Sequence, residues 1–148
     1  MTKPASILLF LSILSSGLFA QTTSYPASFS EPFPLFEKAL GDFDRPVSSS
    51  VDGVQEYFNQ GFQMMYAFTK VDAARSFKEA QKLDPTCSMC FWGEAWAWGP
   101  YLNGKMLEAE APRAYASIQA AQELAQEGFV TEKEADLIAA MAFRYHET

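Results

Sequence analysis

Cys87 and Cys90 are the only cysteines of the chain, and their C-x-x-C spacing puts both at the start of a predicted helix. A helix N-terminus favours the thiolate, so the position suits a redox-active pair. Haem attachment would need His after the second Cys, where this chain has Phe91. A thioredoxin-like enzyme would need strands around the pair, and no strand pattern surrounds it. A metal site needs further ligands, for which Met89, Glu94, Met106 and His146 are the candidates. The plainer expectation is a local disulfide, or two buried thiols, stiffening a junction between helices. Glu94 is the second candidate. Its helix position faces inward, where an unpaired carboxylate costs several kcal/mol, so it requires a partner: Lys105 or backbone N–H groups of the long turn beyond residue 99. His146 stands alone. No nucleophile triad, phosphate-binding Gly loop or paired-carboxylate motif occurs, and no cofactor is implied.

The elements that position these residues are helices. The first is predicted from Asp52, as its cap, to Phe68, with Tyr57, Gly61 and Met64 along one face at i, i+4 and i+7. The second follows Thr69, with Asp72 as its capping-box partner, and ends at Asp84 because Pro85 disfavours helical geometry before it. Ala73, Phe77, Ala80 and Leu83 form its apolar stripe. Thr86 is placed to cap a third helix, Cys87 to Trp98, which Gly99-Pro100 stops. A fourth spans Ala109 to Glu127 before Gly128, and Thr131-x-x-Glu134 is a capping box for a fifth. Four of these pair as two antiparallel hairpins, with Gly61 and Ala73 allowing close approach in the first.

The pattern Y-x-x-Q-G-x-x-M, A-x-x-x-F-x-x-A, L-D-P from Tyr57 to Pro85 resembles a tetratricopeptide repeat, whose period is about 34 residues. Advancing the first helix by that period puts Phe91, Ala95 and Trp98 where Tyr57, Gly61 and Met64 stood. Ala114, Ile118, Ala121 and Leu124 repeat the second stripe seven residues late, so an insertion lies between Gly99 and Pro112. The stretch C-x-x-C-x-W-G-x-A, followed by a Gly-Pro turn, is similar to exported bacterial tetratricopeptide proteins, with Tyr101 where those carry Asn. The resemblance implies an all-α solenoid of about two repeats plus an orphan fifth helix. The fifth helix either caps the two repeats or begins further ones; Ile138, Met141 and Tyr145 present an apolar face to nothing, which favours further repeats beyond residue 148.

Residues 1–20 read as a signal peptide: Lys3, an apolar run to Ala20, then polar Gln21. This predicts a secreted or periplasmic protein with no membrane attachment after cleavage, and no Cys follows to take a lipid anchor. Residues 21–50 form an irregular Ser- and Pro-rich leader, in which only Leu35 to Leu40 could turn helically. The helical domain is 51–148. Without Lys3 the chain carries ten Lys and Arg against eighteen Asp and Glu, with no basic cluster, which excludes a nucleic-acid partner.

Beside the core stripes, the first helix carries Gln55, Phe58, Asn59, Phe62 and Met65, and the third carries Met89, Trp92 and Trp96. Aromatic and Met side chains anchor interfaces. The expected function is therefore a scaffold binding a peptide or protein in this groove. The alternatives are that the leader or a later segment covers the face, or that Cys87 and Cys90 handle electrons or metal.

Overall fold

A computed structural model describes residues 24–38, 40–128 and 130–146, so the signal-peptide reading falls outside it. Five α-helices follow one 3-10 turn at Ala27–Ser30: α1 (Val54–Tyr66), α2 (Lys70–Leu83), α3 (Ser88–Trp98), α4 (Ala111–Gln126) and α5 (Glu132–Ala142). Among the described residues there is no strand, only an isolated bridge between Tyr101 and Gly104 in the long turn. The fold is all-α. α1 packs on α2, α3 on α4, α2 on α3 and α4 on α5, while lighter contacts join α1 to α3 and α3 to α5.

The helix limits have local causes, several different from those expected. Gly53, at φ 87°, rather than Asp52, precedes α1. α1 closes through Thr69 N–H to Met64 O and Phe68 N–H to Met65 O, with Phe68 in the left-handed region where Gly is usual. Thr69 does not cap α2, because its hydroxyl donates to Met64 O instead. Thr86 donates to Asp84 Oδ1, leaving Cys87 to cap α3 with its sulfur. Pro112 lies in the first turn of α4, whose missing N–H costs nothing there. The Thr131–Glu134 capping box is present with both hydrogen bonds. Leu35–Lys38 is not helical.

The core is built on one close approach. A Cβ at Gly61 would lie 2.9 Å from the ring of Phe77, and one at Gly93 2.5 Å from it. Phe77 of α2 therefore lies between α1 and α3, and two helical glycines make the room. The corresponding stripes share their burial: Ala73 with Ala114, Phe77 with Ile118, Ala80 with Ala121. Leu83 departs from its expected place and is exposed. The orphan face of α5 is also corrected. Ile138, Met141 and Tyr145 are buried, Tyr145 donating to Ala95 O and standing where a side chain on Gly99 would be. The apolar surface on which the expectation of further repeats rested is thus covered by α3 and its neighbours.

Candidate functional site

The leader wraps the first hairpin and is gripped by the amide side chains of α1. Gln55, Asn59, Phe62, Gln63 and Tyr66 recur at helical spacing and share one face. Gln55 Nε2 donates to Arg45 O at 2.8 Å, and its Oε1 accepts from Val47 N–H at 3.1 Å. Asn59 Oδ1 accepts from Arg45 N–H at 3.1 Å, while its Nδ2 donates to Asp44. Gln60 grips the leader higher up, accepting from Phe36 N–H and donating to Pro34 O. Its amide is buried beneath that part of the leader. An amide both donates and accepts, so a row of them imitates a strand edge and holds an extended backbone without reading its side chains.

A ladder of rings runs beside this row. Phe43 of the leader stacks on Phe62 (centroids 5.1 Å apart, planes 10°), Phe62 meets Trp96 at 5.1 Å, and Trp96 meets Trp92 at 5.7 Å. Tyr66 adds an edge contact to Trp96 at 5.9 Å, and Trp92 Nε1 donates to Leu137 O on α5. The ladder links leader, α1, α3 and α5. Of the residues predicted to line the groove, Phe58, Met65 and Met89 belong instead to the core, at 2% exposure or less. Phe62 and Trp92 are buried at its edge, Trp96 is half-buried, and Gln55 and Asn59 hold the leader. Tyr66, which is 68% exposed, was missed, as were Phe43 and Arg45. Spacing places Tyr66 one turn beyond Phe62; nothing in the sequence places Phe43 against α1.

Two buried carboxylate clusters tie the leader elsewhere. Glu94 is fully buried, accepting from Gln81 Nε2 at 2.7 Å and Trp98 Nε1 at 3.1 Å, with Lys78 Nζ at 3.4 Å. Its partners come from α2 and its own helix, not from Lys105 or the long turn, because Gln81 and Lys78 project from α2 across its packing with α3. Lys78 also donates to the Tyr25 hydroxyl, whose pKa is raised by burial and then by the charge of Glu94. At the other end, Ser48 donates through its N–H and hydroxyl to Glu134, and the Ser49 hydroxyl donates to Asp84 at 2.5 Å. Burial alone would raise the pKa of both acids; hydrogen bonds from Ser48 and Thr131 to Glu134, and from Ser49 and Thr86 to Asp84, lower them below the usual carboxylate range instead.

Cys87 and Cys90 form a disulfide within the first turn of α3, and both are buried. Among the described residues no three His, Cys, Asp or Glu side chains gather as a metal site would require, and no helix is long and apolar enough to cross a membrane. Compared with known protein families, with curated proteins and with solved structures, the chain matches none of them.

Proposed function

We propose that the protein is an exported helical-repeat scaffold of tetratricopeptide type, which binds an extended peptide or protein segment along the aromatic face of α1 and α3. The observation that carries this reading is the leader itself: an extended chain already lies on that face, held by Gln55 and Asn59 through its backbone and by Phe62 through a ring. The face continues past it through Trp96 and Tyr66, which keep exposed ring surface. Export is supported by the apolar run before Gln21 and by a disulfide, which persists in oxidising compartments. The tetratricopeptide assignment draws support from successive hairpins whose stripes at Ala73, Phe77 and Ala80 correspond in burial to Ala114, Ile118 and Ala121. The reading that Cys87 and Cys90 handle electrons or metal has less behind it, since attack on a disulfide requires access to a sulfur and both sulfurs are buried.

The test is selection of extended peptides from a displayed random library on the intact protein, with thermal melting alongside. Trp96→Ala is expected to weaken selected peptides by about 2 kcal/mol, the scale of an aromatic anchor, and to lower stability by less than half of what Phe77→Ala costs. A library that yields no binder, or binders indifferent to both Trp96→Ala and Tyr66→Ala, would sink the proposal.

A further inference from the structure

We infer that Asp42–Val47 is a releasable stand-in for the groove's partner, and that the partner is an extended segment with an aromatic residue followed two positions later by Arg or Lys. The inference rests on the peptide-binding reading above and adds what the peptide looks like and how it enters.

The hold on this segment divides into two parts. The backbone part, at Arg45 and Val47, is supplied by Gln55 and Asn59 and accepts any extended sequence. The side-chain part selects: Phe43 stacks on Phe62, and the Arg45 guanidinium lies 5.5 Å from the centroid of that same ring. One aromatic ring thus reads two side chains spaced two residues apart, by stacking and by cation–π attraction. Pro46 disfavours helical geometry at Arg45 and so favours an extended approach.

The segment's attachment is polar and open to solvent on its outer side. Upstream, Phe33 is only 5% exposed and covered by Arg75, whereas Phe43 leaves 46% of its surface to solvent. A cleft of about 330 Å³ lies between Phe36, Leu40 and Phe43 on the leader side and Asn59, Gln60 and Gln63 on α1. Water reaches this cleft, and hydrogen bonds that are exposed or only part-buried, with little apolar area over them, open early. The anchors on either side, Gln60 to Pro34 and Phe36, and Glu134 to Ser48, allow the stretch between them to lift without detaching the rest. Phe62 also touches Trp96 and Tyr66. A ligand running along those rings therefore reaches the place Phe43 holds.

The experiment uses a fluorescent peptide of sequence Gly-Asp-Phe-Asp-Arg-Pro-Val-Ser, copied from residues 41–48, added to the intact protein. In the wild type the tethered copy competes, so apparent affinity is reduced by the small fraction of open groove. Phe43→Ala with Arg45→Ala in the protein is expected to tighten peptide binding at least about tenfold. Asn59→Ala on that background should reverse the gain, and a peptide with Ala for both Phe and Arg should not bind. Hydrogen exchange on the wild type gives a second readout that needs no variant. The amides of Arg45 and Val47 should exchange faster than those of Phe36 and Ser48, and faster still with the peptide present. Equal peptide binding to wild type and double variant, or amides of Arg45 and Val47 as protected as Ala73, would overturn the inference. Library peptides that need Trp96 but ignore the double variant would overturn it while leaving the peptide-binding function standing.

Discussion

The two sides of α1 are held by different chemistry. Toward α2 and α3 the contact is ring against backbone: Phe77 fills space that exists because Gly61 and Gly93 lack side chains. Toward the leader it is amide against backbone, with Gln55, Asn59 and Gln60 bonding an extended chain. The first contact is apolar, dry and fixed by shape, so a small change in volume has nowhere to go. The second exchanges bonds with water at modest net gain, since a typical hydrogen bond contributes about 1 kcal/mol. A helix in this arrangement is set by shape on one face and held by exchangeable polar bonds on the other.

Phe77→Ala should show the largest effect, about 3–5 kcal/mol of lost stability, because it empties the centre of the three-helix contact. Trp96→Ala, on the opposite side, should cost less than half as much in the same melt. Equal losses would mean that the ladder is core and that the contrast between the two sides is false.

A glycine pair refines the apolar side. Gly93→Ala puts a Cβ 2.5 Å from a fully buried ring, and Gly61→Ala one at 2.9 Å. Alanine favours a helix interior by about 1 kcal/mol, while overpacking costs about 1–3 kcal/mol. Gly93→Ala is therefore expected to destabilise by about 1–2 kcal/mol and Gly61→Ala to come out close to neutral. Chemical denaturation of both variants decides it, and the reverse order would show that α3, not α1, yields to Phe77.

The smallest effect concerns the polar attachment and depends on pH. Asp84 and Glu134 have folded-state pKa values below their unfolded ones. Their contribution is complete above the unfolded value, near about 4, and is lost as pH falls through the lower folded value. Melting temperature should thus decline on acidification below that point. Glu134→Gln and Asp84→Asn together should flatten the decline and leave the Phe77 contact untouched. An unchanged acid slope in the double variant would place the sensitivity elsewhere.

Most of what the chain announces about itself is local. Pro85 and Gly128 stop helices, Thr131 and Glu134 start one, and Cys87 and Cys90 sit close enough to bridge. Each involves residues no more than four apart, so backbone geometry alone settles it. The apolar stripes through Ala73, Phe77, Ala80 and through Ala114, Ile118, Ala121 were readable for the same reason, since helical period follows from spacing. The aromatic face of α1 and α3 was readable only in part. Phe62, Trp92 and Trp96 stand at its edge, but Phe58, Met65 and Met89, which share their helical faces, went into the core. A helix face is a wide arc, and spacing does not say where a neighbouring helix will cover it.

What remained for the tertiary structure joins residues distant along the chain. Lys78 and Gln81 reaching Glu94, Glu134 holding Ser48, Tyr145 closing on Gly99, and Arg45 lying across Gln55 and Asn59 each depend on how one packed element stands against another. Those relations follow from interlocking volumes, above all Phe77 between two glycines, and one ring's place in the core decides which polar side chains meet. Composition and period state that helices form and which stripe is apolar; the identity of the partners is a property of the packing.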